Sequence, residues 1–261
     1  MGYAKYGRFA LAALLIAAPL SIANAADMAV KAPPPPPEVW SWTGFYIGVH
    51  AGSGSNRGNL RADYLPFPTF GLDPTVATSS ELGTLGGGQV GYNWMVAPNW
   101  LIGFEGDGSK TIIDSDLTAI PIIFATGLPQ IVQPTSWTRN LEWMASARGR
   151  LGLIPTPNLL LYATGGAAWG GFNYNAQFVN TTAGSNNWIA PFSKTQSGYV
   201  VGGGAEWMAS AHWLLRAEYL FYRLPGASNL ANNPAFPTFP IQFTWNATNT
   251  NVVRLGASYK F

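Results

Sequence analysis

The end of the chain constrains it most. Asn251–Phe261 reads NVVRLGASYKF, with Val253, Leu255, Ala257, Tyr259 and Phe261 on one phase and Arg254, Gly256, Ser258 and Lys260 on the other. Period-two alternation is the mark of a strand with two unlike faces. One such strand suits the edge of a soluble sandwich as well as the wall of a barrel. The rest of the chain decides, because the pattern returns seven more times.

Strand segments are expected at Trp42–Gly52, Gly83–Val96, Trp100–Lys110, Trp137–Leu153, Leu159–Asn173, Thr195–Ala209 and His212–Arg223. The first puts Phe45, Ile47, Val49 and Ala51 outward and Tyr46, Gly48 and His50 inward. The fourth is read with Leu141, Trp143, Ala145, Ala147 and Leu151 outward, and Glu142, Ser146, Arg148 and Arg150 inward. In the seventh, Trp213, Leu215, Ala217, Tyr219 and Phe221 alternate with Arg216, Glu218 and Tyr222. The fifth is Gly-rich, and its phase is open beyond Ala167. Turns are short after the second, fourth and sixth segments. Long loops follow the others, at Ser53–Leu82, Thr111–Ser136, Tyr174–Lys194 and Leu224–Thr250. Eight antiparallel strands with this asymmetry make a transmembrane β-barrel with short periplasmic turns and long extracellular loops. Trp94, Trp100, Trp207, Trp213, Tyr259 and Phe261 then form an outward aromatic girdle at the periplasmic side, as interfacial aromatics do. Only 10% of residues are charged, 14% are aromatic and thirty are Gly, a composition that suits such a barrel.

The N-terminus predicts export. Lys5 and Arg8 precede the apolar run Phe9–Ala18, too short to span a bilayer as a helix, and Ala23-Asn24-Ala25 supplies small residues for cleavage. Residues 1–25 read as a signal peptide, 26–40 as a Pro-rich periplasmic tether around Pro33–Pro37, and 41–261 as the barrel. Without Lys5 and Arg8, twelve bases face twelve acids, which gives no case for a nucleic-acid partner. Absence of cysteine excludes disulfides and lipid acylation at a new N-terminus.

The inward phase collects Glu105, Asp107, Glu142, Glu206 and Glu218 against Arg148, Arg150, Arg216, Arg254 and Lys260. An eight-stranded barrel is just wide enough for side chains to fill, and buried charges need partners. A salt-bridge network plugging the lumen is expected; a wetted, charged pore lining is the alternative. On the outward phase, Lys110, Arg139 and Arg223 are placed at the extracellular strand ends, where lipopolysaccharide phosphates lie. Simple snorkelling into water explains them equally. The repeated tetrapeptides Phe67–Phe70 and Phe236–Phe239, with the apolar run Ile120–Phe124, make either a contact surface for an extracellular ligand or host molecule, or a cap on the barrel.

Catalytic chemistry finds little support. His50 and His212 do not fit metal spacing, no serine sits in G-x-S-x-G, and the sequence assigns His50 no serine partner. Gly86–Gly88 and Gly202–Gly204 lie inside strands without a following Lys-Ser/Thr, so they read as curvature devices, not phosphate loops.

The opening Trp42-Thr43-Gly44-Phe45-Tyr46-Ile47-Gly48, the tether and the ending Val253–Phe261 resemble the outer-membrane immunogenic, small porin-like barrels of alpha-proteobacteria, which share the architecture of the OmpA-type transmembrane domain. The resemblance implies a surface barrel of the outer membrane that supports the envelope and is seen by host immunity. It also implies that the final strand, with Tyr259 and Phe261, is a signal to the barrel assembly machinery. Some relatives are described as haem-binding or pore-forming, yet no second ligand accompanies His50. The sequence therefore predicts a non-enzymatic barrel without cofactor, embedded in outer-membrane lipid, with a narrow porin-like channel as the alternative.

Overall fold

The computed structural model describes residues 40–64, 75–118, 135–180, 186–233, 237 and 240–261. The expected signal peptide (1–25), nearly all of the expected tether (26–40), Phe67–Phe70, Ile120–Phe124 and all but Pro237 of Phe236–Phe239 lie outside the described residues. Everything described is strand or short connection. The long strands are β1 (Gly44–Tyr64), β2 (Thr75–Ala97), β3 (Trp100–Thr118), β4 (Thr135–Thr156) and β5 (Leu159–Asn180). A short β6 (Asn186–Ile189) precedes β7 (Phe192–Met208) and β8 (Trp213–Leu224). A hairpin of β9 (Ala227–Ala231) and β10 (Ile241–Trp245) leads to β11 (Thr248–Lys260).

Each of the eight long strands pairs antiparallel with its neighbours in the order β1-β2-β3-β4-β5-β7-β8-β11, and β11 returns to β1. Closure runs from Tyr46↔Lys260 to Arg57↔Asn249, so the ring has no free edge there. The expected eight-stranded barrel is present, with β2–β3, β4–β5 and β7–β8 joined by short turns.

Strands β1–β5, of 19 to 23 residues, are about twice the 9–11 residues needed to cross a bilayer. Their side chains divide them into two zones. In the lower zone large apolar residues point out: Phe45–Val49 on β1, Trp94–Val90 on β2, Trp100–Phe104 on β3, Tyr199–Trp207 on β7, Trp213–Tyr219 on β8 and Val253–Phe261 on β11. In the upper zone the sense reverses. Arg57, Asn59 and Arg61 point out from β1 while Leu60 and Ala62 point in. On β5, Asn173 and Asn175 point out while Phe172, Tyr174 and Ala176 point in. A wall that is greasy outside below and greasy inside above is one strand set passing from lipid into water. Strands of roughly 22 residues, at ~3.3 Å per residue and a tilt near 40°, rise about 55 Å, twice the apolar band. Much of what the sequence reads as loop, Ser53–Leu82 and Tyr174–Lys194 above all, is therefore wall.

The phase of β4 needs correcting. A β-bulge interrupts its pairing with β5 between Leu141 and Trp143, and with β3 opposite Lys110–Ile113. Glu142 is the extra residue, so it and Trp143 both point out. Every residue above it changes face. Arg139 and Leu141, expected outward, are buried inside together with Trp137, and Glu142, expected inside, is exposed.

Gly87 shows where a close approach demands glycine. A Cβ there would strike the Gly108 carbonyl of β3, and the missing side chain lets His50 and Ser109, its register neighbours, meet across it.

Candidate functional site

At mid-height of the apolar band the lumen holds four carboxylates and four guanidiniums. Glu105 and Asp107 come from β3, Arg148 and Arg150 from β4, Glu206 from β7, Arg216 and Glu218 from β8, and Arg254 from β11. Register brings them together: Glu105 faces Arg148, Glu206 faces Arg216, and Glu218 faces Arg254 across adjacent strands.

Glu105 is the hub. Arg148 Nη2 donates to its Oε1 at 2.5 Å, Arg216 Nη1 to Oε2 at 2.6 Å, and Tyr46 OH to Oε2 at 2.6 Å. Arg148 Nη1 reaches Glu218 Oε1 at 2.9 Å, and Arg254 Nε reaches the other oxygen at 2.6 Å. Arg254 Nη1 also donates to Asp107 at 2.6 Å, and Ser146 completes Asp107. Arg150 Nη2 holds Glu206 at 2.5 Å, and its guanidinium lies 4.0 Å from the centre of the Tyr162 ring. The side chains of the four arginines are at most 1% exposed. Charges so placed repay their desolvation only through this mutual pairing.

Two apolar layers enclose the ionic one. Below lie Trp42, Leu101, Ile154, Leu160, Met208 and Leu214, with Trp42 Nε1 donating to the Pro157 carbonyl at 3.1 Å. Above, Leu85, Ile113, Leu141, Met144, Leu220 and Val252 begin a core that continues up the projecting wall to Trp137, Phe243 and Trp245. The stack is apolar, ionic, apolar. An ion following the axis would have to part the charge pairs and cross both apolar layers.

His50 has a serine partner after all. Its Nε2 lies 2.7 Å from Ser109 Oγ, and its Nδ1 lies 2.5 Å from Gln89 Oε1. Nucleophile, base and orienting amide are in line, as in a hydrolase. Yet the Nε2 that would take the serine proton also meets Arg254 Nη1 at 3.3 Å. One lone pair cannot serve both donors, and the site lies under the apolar roof. The geometry suits a satisfied polar cluster better than a nucleophile.

Several expected site residues fall elsewhere. Glu142 is outside, accepting from Asn173 Nδ2 at 2.5 Å, because of the bulge. Lys260 points inward but belongs to no ion pair among the described residues; it sits about 20 Å along β11 from Arg254, near the short-turn mouth. Arg139 is buried in the upper core, donating from Nη1 to Thr248 Oγ1 at 2.9 Å, so it is not a surface cation. Lys110 and Arg223 are exposed and outward. Arg57, which the sequence reading placed in a loop, joins them: Arg57, Asn249, Arg223 and Tyr199 form one outward row across four strands. The readable signal was the reversed alternation around Leu60 and Ala62. At the last strand, Tyr259 and Phe261 are outward, Phe261 packs 5.8 Å from Phe45, and its N–H donates to the Phe45 carbonyl at 2.9 Å.

A family model described as the outer membrane protein beta-barrel domain matches residues 10–261. The 31 kDa outer-membrane immunogenic protein of Brucella melitensis is 30% identical over 248 residues, covering 92% of this chain and 93% of the relative. Its Brucella suis counterpart matches to the same extent. Among solved structures, the outer membrane protease OmpT from Escherichia coli aligns with a TM-score of 0.49 at 8% identity, over 84% of this chain and 97% of that one. OprG from Pseudomonas aeruginosa aligns with a TM-score of 0.46 at 13% identity, over 84% and 96%.

Proposed function

Since the chain belongs to the outer membrane protein beta-barrel domain family, we propose that it is a closed, non-enzymatic barrel that braces the outer membrane and displays a recognition surface outside the cell. The ionic layer carries this reading. Four arginines and four carboxylates are matched pair for pair between two apolar layers, an arrangement for sealing, not for passage. Purified barrel in a planar bilayer is expected to leave the baseline conductance unchanged. Large, steady, non-selective currents from most insertions would replace this reading with a narrow porin-like channel for small solutes.

The display part rests on the projecting wall and on the relatives, whose name calls them immunogenic. Residues 1–25 act in this scheme as the export signal and 26–40 as a periplasmic tether. Tyr259 and Phe261 present the finished end of β11 to the assembly machinery.

Lipopolysaccharide is the proposed lipid partner. Lys110, Arg57 and Arg223 stand at the upper rim of the apolar band, with Asn249 between the two arginines. Phosphates at that depth find charge and amide donors together. Changing Lys110, Arg57 and Arg223 to Gln is expected to cut co-purified lipopolysaccharide several-fold, as measured by phosphate or fatty-acid analysis. Unchanged retention leaves the three as snorkelling side chains.

A further inference from the structure

Above the bilayer band the wall splits. β7 and β8 are paired from Met208↔Leu214 up to Tyr199↔Arg223, and there the ladder stops. On one side, β7 runs on to Phe192 and is followed, past Ala190-Pro191, by β6; both then pair only with β5. On the other side, β9 follows Pro225-Gly226 and pairs only with β10. Neither β6 nor the upper part of β7 runs alongside β9. Pro225, two residues past Arg223, lacks the amide hydrogen that would continue the ladder, which explains why the seam opens here. At its foot, Gly198 still lies against the Arg223–Leu224 backbone, and Gln196 Nε2 bridges to the Gly226 carbonyl at 3.2 Å.

The split therefore has two unpaired strand edges among the described residues. The edge of β9 is not used by another strand: the Leu230 N–H donates to its own neighbour, Asn229 Oδ1, at 3.0 Å. Half-buried Phe192 lies at the inner side, stacked 4.7 Å from Tyr174 and 5.3 Å from Trp245. Two exposed cations flank the seam on opposite faces, Arg223 outward at its foot and Lys194 on the inner phase of β7 with Phe192, and neither is in an ion pair among the described residues.

We propose that this split is a docking groove for an extended polypeptide strand of another protein, alternating apolar and acidic residues. Two facing strand edges are satisfied together only by a backbone with donors and acceptors on both its sides. Period two then sends one set of side chains inward onto half-buried Phe192 and the other outward toward Arg223. A second copy of this chain is a poor occupant, because its described strands are already paired on at least one side and none of them has both edges free. The proposal deepens the recognition-surface reading and rests on it only in taking the long-loop end as the exposed one.

The test uses the full mature chain refolded in detergent and a fluorescent seven-residue peptide alternating Val and Glu, followed by anisotropy. Saturable binding of one peptide per barrel is expected. N-methylation of alternate peptide amides should weaken it at least tenfold. Leu230→Pro, which removes an edge donor while sparing the β10 ladder, should do the same. Arg223→Gln should weaken it several-fold and reduce its salt dependence. Absence of saturable binding overturns the proposal, as does equal binding of the N-methylated peptide. Pairing of barrels through the split, seen by sedimentation and removed by Leu230→Pro, overturns it in favour of a second copy. Should the Leu230 variant fail to fold, the N-methylated peptide on the unchanged barrel still decides. The conductance experiment is independent of all these outcomes, so the two readings fail separately.

Discussion

Replacing Arg148 with Ala is expected to destabilise the folded barrel by about 3–5 kcal/mol, the cost of stranding buried charge. Arg148 is fully enclosed and donates to Glu105 at 2.5 Å and to Glu218 at 2.9 Å, with Asp107 3.6 Å away. Its removal leaves four carboxylates against three guanidiniums between two apolar layers. Urea unfolding in lipid vesicles, followed by tryptophan fluorescence, measures the loss. The double variant Arg148→Met with Glu218→Gln should cost less than the sum of its parts, because one charge of each sign leaves together. A loss below about 1 kcal/mol for Arg148→Ala would mean a hydrated lumen, since only solvated charges are that cheap to orphan.

Deleting Phe261 is expected to separate assembly from stability. The deletion removes one backbone hydrogen bond at the closing seam, to the Phe45 carbonyl, and ring contacts with Tyr259 and Phe45. For purified protein refolded into detergent, that is a loss of about 1–2 kcal/mol, and the compact gel form of the unboiled sample should persist. In cells most of the protein should fail to reach the surface, because the end of β11 is what the assembly machinery is proposed to read. Surface labelling of intact cells against total protein gives the ratio. Normal surface levels would reduce Phe261 to a packing residue. Failure in both settings would make its role structural.

The sequence foretold the lower half of the barrel well and the upper half badly, for one physical reason. In lipid, each strand must show apolar residues outward and keep polar ones inside, so period two has a fixed sense. Val253, Leu255, Ala257, Tyr259 and Phe261 obey it and are outward. Above the bilayer the sense inverts, and a reading that looks for greasy residues outside sees only the end of a strand. For that reason Leu60 and Ala62, or Tyr174 and Ala176, read as loop in the sequence, and Arg57 with them.

The bulge at Glu142 is a different case. Leu141 fits an outward position as readily as an inward one, so nothing local announces the extra residue, and Trp137 and Arg139 change face with it. The ionic layer lies between these extremes. Its members were legible from phase, but their partners were not, because pairing depends on strand register and lumen width. Lys260 shows the difference: right phase, wrong height.

The inverted upper wall also bears on how an antibody would see this protein. Arg57, Asn249, Arg223 and Tyr199 are far apart along the chain yet stand side by side on adjacent strands. An epitope drawn on such a wall is discontinuous, held by strand register and erased by boiling. Linear peptides cut from these four strands do not reproduce that row, whereas an immunogen that keeps the strand register does.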